Sequence, residues 1–140
     1  MLNKEEKTRI SETIREAENK TSGEIRVYVA KHCKGDPLET AHKVFHKLRM
    51  DKTKLRNGVL IYVSPSDHKT AIYADSGINE AVENTAFWQD ALNEMLIFFK
   101  KDLIADGICA GIEKVKKLIK KGYPVSDNDL NELDNEVIME

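Results

Sequence analysis

The sequence predicts an α/β protein, a three-layer α/β/α sandwich built on a small mixed sheet of three to four strands. Three observations carry this. Apolar residues repeat at helical spacing in four segments and at strand spacing between them. The segments follow in the order helix, strand, helix, strand, strand, helix, helix. One run, Val59 to Val63, is apolar without interruption, as in a central strand covered on both faces.

The first helix is predicted over residues 4–20. Asn3 and Glu6 have capping-box spacing, and Ile10, Ile14 and Ala17 follow on one face. Thr21-Ser22-Gly23 breaks the helix, Gly23 being suited to a left-handed cap. Residues 24–30 alternate, with Ile25, Val27 and Val29 on one face and Arg26 and Tyr28 on the other. Asp36-Pro37 reads as N-cap plus first helical residue and opens a helix to residue 48, with Leu38, Ala41, Val44, Phe45 and Leu48 as its stripe. Asn57-Gly58 is a turn signal before the apolar strand 59–63. The polar turn 64–68 then leads into a third strand, 70–75, making a hairpin.

Asp75-Ser76-Gly77 ends that strand, and a short fourth strand is allowed around residues 77–82. A third long helix starts near Thr85 and uses Trp88, Leu92, Met95, Leu96 and Phe99, with Trp88 a core anchor at its start. A fourth spans residues 102–121 through Ile104, Ile108, Ile112, Val115 and Ile119. Gly107 and Gly111, four apart on it, are expected to allow close packing, and Gly122 and Pro124 end it. Residues 1–124 thus form one domain, and the acidic tail 125–140 is expected to be ordered only in part.

At 140 residues the chain suits one core. With 41% hydrophobic and 33% charged residues and a formal charge of −2, it lacks the concentrated positive charge that nucleic-acid backbones require. Lys-rich 114–121 falls on a helix face open to solvation. The opening MLNKEEKTRI has no apolar core of a secretory signal, and runs such as 95–99 are far short of a membrane span. Cys33 and Cys109 make no CxxC pair, which fits free thiols and a cytoplasmic location in a bacterium.

A right-handed crossover makes the first two strands parallel, and the hairpin sets the third antiparallel to the second. Ser22, Gly23 and Glu24, then Arg56, Asn57 and Gly58, then Asp75, Ser76 and Gly77 therefore share one end of the sheet. With the strands in the order 1-2-3, Glu24 and Asp75 should lie about 10 Å apart, with Arg56 and Asn57 between them. Two carboxylates, an amide and hydroxyls suit a hard cation, Ca²⁺ or Mg²⁺. Arg56 could instead hold a carboxylate or phosphate through two hydrogen bonds. In the plainest alternative Glu24 and Arg56 pair with each other and the glycines serve turns.

Other clusters compete. Ligands of open α/β sheets usually bind beyond the carboxyl ends of parallel strands. That end holds His32, Cys33, Lys34, Gly35 and Asp36 with Ser64, Ser66, Asp67 and His68, although Asp36 is already explained as a helix cap. His42 and His46 have the four-residue spacing of helical zinc sites. They lie roughly 95° and 135° from the centre of the apolar stripe, with no HExxH glutamate, as solvent-facing residues would. Residues 127–131 begin like an EF-hand loop, but Glu132 stands at the glycine position and Ile138 at that of the bidentate Glu. No glycine-rich phosphate loop, nucleophile elbow or cysteine-phosphatase loop is present.

Thr21-Ser22-Gly23-Glu24-Ile25-Arg26-Val27, then Arg56-Asn57-Gly58-Val59-Leu60-Ile61, then Ala71-Ile72-Tyr73-Ala74-Asp75-Ser76-Gly77-Ile78 and Phe87-Trp88 together resemble the TPM domain family. That family is named for thylakoid-lumen, photosystem-repair and worm receptor-modulating founders. The similarity runs on through Asn131-Glu132-Leu133 and so covers nearly the whole chain. It implies an α/β/α fold, divalent-cation binding with calcium the usual ion, and acid phosphatase activity for some plant members. Many relatives carry a signal peptide and a membrane anchor, whereas this chain looks like a stand-alone soluble member.

The resulting expectation is a divalent-cation-binding domain with Glu24, Asp75, Asn57 and Ser76 as metal residues. One alternative is a metal-dependent phosphatase acting on phosphomonoesters. Glu24 and Asp75 would help hold the cation, which polarises the phosphoryl group and activates water. Arg56 would bind the phosphate and Asn57 would orient it, so that Asp75, Arg56 and Asn57 carry the catalytic roles. The other alternative is a non-catalytic regulatory or interaction module. A phosphorylated small molecule or a protein is the expected partner, with no nucleic acid, no membrane segment and a monomeric chain.

Overall fold

The computed structural model describes residues 2–19, 23–53, 56–81, 86–120 and 137–140. The chain runs α1 (Lys4–Glu18), β1 (Glu24–Val29), α2 (Pro37–Lys47), β2 (Gly58–Ser64), β3 (Lys69–Ala74), α3 (Ser76–Ala81), α4 (Ala86–Phe99), α5 (Ile104–Lys120) and β4 (Ile138–Met139). The sheet order is β3-β2-β1-β4. β1 pairs parallel with β2, and β2 antiparallel with β3.

Local chemistry sets the helix starts. The Asn3 side chain accepts from the Glu6 N–H at 2.8 Å while Glu6 Oε1 accepts from the Asn3 N–H at 3.0 Å, a complete capping box. Asp36 caps α2 by accepting from the Glu39 N–H at 2.9 Å, and Pro37 follows at the position where a missing N–H costs nothing. The left-handed cap expected of Gly23 depends on residues 20–22, which lie outside the described residues.

The strands divide two cores by parity. Ile25, Val27 and Val29 of β1 and Val59, Ile61 and Val63 of β2 face one way. They pack with Ile10 and Ile14 of α1, Met95 of α4 and Ile108, Ile112 and Val115 of α5. Leu60, Tyr62 and Ala71 face the other way, against Ala41, Phe45 and Met50. All seven residues of β2 are buried, as a strand between two helical layers must be. The glycines of α5 do allow close packing. A Cβ on Gly111 would fall 2.5 Å from Met95 Sδ, and one on Gly107 would overlap the Phe99 ring. Trp88 is half-buried against the larger core.

Two elements depart from the sequence reading. The segment after Asp75 is the helix α3 rather than a short strand. The Ile78 N–H donates to the Asp75 carbonyl at 3.0 Å and the Gly77 N–H to that of Arg56 at 2.9 Å, which turns the chain and buries Ile78. The fourth strand comes instead from the end of the chain. Ile138 and Met139 pair parallel with Tyr28 and Val29, and the Glu140 N–H donates to the Val29 carbonyl at 3.0 Å. The EF-hand-like residues 127–132 lie outside the described residues.

Candidate functional site

The topology gathers Glu24, Asn57 and Asp75 in one row across the sheet. Glu24 is in register with Gly58, whose carbonyl accepts from the Asp75 N–H at 2.9 Å. The Glu24 N–H in turn donates to the Asn57 carbonyl at 3.0 Å. Glu24, Asn57 and Asp75 are only 4%, 2% and 5% exposed, unusual for residues so polar. The Asn57-Gly58 turn signal resolves in an unexpected way, because the left-handed residue is Arg56, at φ 53°. Gly58 is needed for space. A Cβ there would lie 3.1 Å from the Met50 carbonyl oxygen and 3.4 Å from the Phe45 ring.

Arg56 belongs to Asp75. Its Nε lies 3.4 Å from Asp75 Oδ2, and its Nη1 donates to the Asp51 carbonyl at 3.0 Å. Asp75 Oδ1 accepts from the Ser76 N–H at 2.7 Å, so Ser76 meets the site through its backbone. The pairing of Arg56 with Glu24 that the sequence allowed is thus replaced by one with Asp75. The Asp75 charge and, before it, burial raise the Tyr73 hydroxyl above the ordinary phenol range, while Arg56 opposes them.

The carboxyl group facing Glu24 is that of Glu18, the last residue of α1. Glu18 Oε2 accepts from the Ile25 N–H at 3.2 Å, whereas its buried Oε1 is reached by no backbone N–H and no basic side chain among the described residues. Burial, then the hydrogen bond to Glu24 and the Glu24 charge, push the Glu18 carboxyl up to about 9, against the pull of the Ile25 N–H and Arg26. The physical cause is plain. Two ionised carboxylates have no proton to share, so one of them retains its proton and donates it to the other. Sequence reasoning missed Glu18, yet a signal was present: Ile10, Ile14 and Glu18 are four apart, which puts a carboxylate on the apolar stripe of α1.

The opposite end is wired differently. Asp67 Oδ2 accepts from the Cys33 N–H at 2.6 Å, and Asp67 Oδ1 lies 3.6 Å from His32 Nδ1. Lys69 Nζ donates to the carbonyls of Cys33 and Gly35 at 2.9 and 3.0 Å. The Cys33 N–H, helped by His32 and Lys69, holds the Asp67 carboxyl below the usual carboxylate range. With Asp36 spent on its cap, these groups latch the loop after β1 to the hairpin turn. Both cysteines are free and buried, and burial raises the Cys109 thiol.

A groove of about 670 Å³ runs between α2 and α4 along β3, lined by Leu38, His42, Ile72, Tyr73, Trp88 and Leu92. It is apolar and separate from the acidic row. Among the described residues, no three His, Cys, Asp or Glu side chains converge as a complete metal centre would, and no helix is long and apolar enough to cross a membrane.

The TPM domain family matches residues 1–118. The NMR structure of the BA42 protein from the psychrophilic bacterium Bizionia argentinensis is 41% identical with a TM-score of 0.92, over 100% of this chain and 96% of that one. The N-terminal domain of the cg2496 protein of Corynebacterium glutamicum shares the fold at 14% identity and a TM-score of 0.68, covering 93% of this chain and 80% of its own. An N-terminal domain from P. gingivalis does so at 13% and 0.71, covering 91% and 83%. A comparison with curated proteins gives no match.

Proposed function

We propose that this chain, which belongs to the TPM domain family, works as a divalent-cation-binding module, with calcium the fitting ion, at the Glu18–Glu24 end of its sheet. The observation that carries the reading is the pairing of the Glu18 and Glu24 carboxyl groups, in which the buried Oε1 of Glu18 is reached by no backbone N–H and no basic side chain among the described residues. A hard cation satisfies both carboxylates at once and takes the place of the shared proton. Glu18 and Glu24 would hold it, while Asn57 and Asp75 frame the site. Calcium accepts backbone carbonyls and water in its remaining positions, so two carboxylates suffice for a weak site. The ion would supply charge neutralisation that draws the end of α1 onto β1.

Calcium titration followed by amide NMR tests this reading. Shifts should centre on Glu18, Glu24, Asn57 and Asp75 and saturate at about 0.1–1 mM, the range of weak calcium modules. Shifts centred on His32–Cys33 and Asp67, or none at all, would sink it. Turnover is a separate matter. In the phosphatase alternative Asp75 and Asn57 act at the phosphoryl group, and Arg56 must leave Asp75 to bind it. A phosphomonoester assay in which Asp75→Ala loses well over tenfold would add catalysis to binding. Equal trace rates in both proteins would leave a binding module.

A further inference from the structure

The solvent face of α2 carries a second constellation that the acidic row does not use. His42 and His46, one turn apart, have ring centroids 4.8 Å apart and ring planes at 67°. Two imidazoles bound to one tetrahedral ion through metal–nitrogen bonds of about 2.0–2.1 Å have centroids roughly 5 Å apart. The rings are also held in place. His42 stacks on Tyr73 at 4.8 Å and 14°, and His46 meets Phe45 edge-on at 5.5 Å. Asp51 Oδ2, on a side chain only 18% exposed, lies 3.7 Å from His46 Nδ1. At that distance Asp51, which also faces Lys52 Nζ at 3.8 Å, acts through its charge: it favours the tautomer with hydrogen on Nδ1 and leaves the Nε2 lone pair for a ligand. The His46 side chain is 47% exposed, so an ion can reach it from water.

We infer that His42 and His46 chelate a borderline divalent metal ion, Zn²⁺ or Cu²⁺, with Asp51 as the positioning residue for His46. Paired imidazoles prefer such ions to calcium or magnesium, so this site is chemically separate from the carboxylate end. With two protein ligands the ion keeps its other positions for water or an incoming donor, and a site of this kind exchanges its metal readily. His42 also lines the groove beside β3, which puts an open coordination position next to an apolar surface.

The test is a Zn²⁺ titration of the full chain, read by calorimetry and by imidazole ¹⁵N NMR in the presence of saturating Ca²⁺. One equivalent should bind, with the Nε2 signals of His42 and His46 moving together. His42→Ala and His46→Ala should each weaken binding by at least tenfold, and His32→Ala should leave it unchanged. Asp51→Asn should weaken it by about tenfold and raise the share of the other His46 tautomer before metal is added. Because both histidines are exposed, their variants should keep the wild-type amide spectrum away from α2 and the Tyr73 stretch of β3. Wild-type affinity in either histidine variant, or shifts centred on His32, Cys33 and Asp67, would overturn the assignment. Loss of calcium binding with zinc binding intact would instead count against the carboxylate site alone.

Discussion

Glu18 and Asp67 stand at opposite ends of one sheet, and each accepts a backbone N–H from a strand or the loop beyond it, yet their acidities move in opposite directions. Glu18, at the end of α1, is screened from water and faces Glu24, so its proton is held to about 9. Asp67, in the hairpin turn, meets the Cys33 N–H with His32 and Lys69 nearby, and its proton leaves more easily than usual. The same side-chain chemistry thus yields a loaded end and a relaxed end. An N–H donor alone does not decide which; burial and the sign of the nearest charge do. The relaxed end spends Asp67 and Lys69 on holding a loop, whereas the loaded end sets two carboxyl groups against each other with no cation between them among the described residues.

The largest expected effect comes from Glu18→Gln. Because the folded value for Glu18 is raised, the wild type binds more protons folded than unfolded between the ordinary Glu range and about 9. Its contribution to stability is complete below the unfolded value and is lost as the pH rises toward 9. One proton sets a slope of at most about 1.4 kcal/mol per pH unit. Denaturant melts without divalent cations should therefore show the variant well above wild type at pH 8 and level with it near pH 4. A variant that tracks the wild type at both values would remove the contrast between the ends.

Next in size is Asp75→Ala, which leaves Arg56 and the Ser76 N–H without their acceptor. Arg56 is half-exposed and water can replace its partner, so the loss should be about 1–3 kcal/mol, most of it from the part-buried hydrogen bond of the Ser76 N–H. Asp75→Asn keeps an acceptor for that N–H and should recover more than half, as measured by the same melts. If the two substitutions cost the same, the ion pair rather than the hydrogen bond holds the β3–α3 corner.

The fold was legible because each main element carries its own local signal: the capping box at Asn3 and Glu6, Asp36-Pro37 at α2, the period of two along β1 and the unbroken apolar run of β2. The parallel and antiparallel pairings follow from chain order and handedness. β4 had no such signal, since two residues make no pattern and their partner is more than a hundred positions away. At the site, topology was enough to bring Glu24, Asn57 and Asp75 to one end. The partners were not readable, because whether Arg56 turns to Glu24 or Asp75 depends on a left-handed φ at Arg56 that the neighbouring Asn57-Gly58 signal concealed. Glu18 was hidden for a different reason. A charged residue at a helix end reads as solvated unless its place on the apolar stripe is weighed.

The smallest effect, and the one that completes the contrast, belongs to Asp67→Asn. A depressed carboxyl contributes stability above its unfolded value and loses it as the pH falls through the lower folded one. The wild type should therefore lose stability on the acid side, below about pH 4, through this group, and the variant should show a flatter acid limb there. The change should be slight, since the charges around Asp67 are open to solvent and salt. Repeating the acid melts in about 1 M salt should shrink it further, whereas the alkaline gain of Glu18→Gln should survive, because its cause is burial rather than surface attraction. Equal salt sensitivity at both ends would mean that water reaches the Glu18–Glu24 pair, and would weaken the case for that end as the cation site.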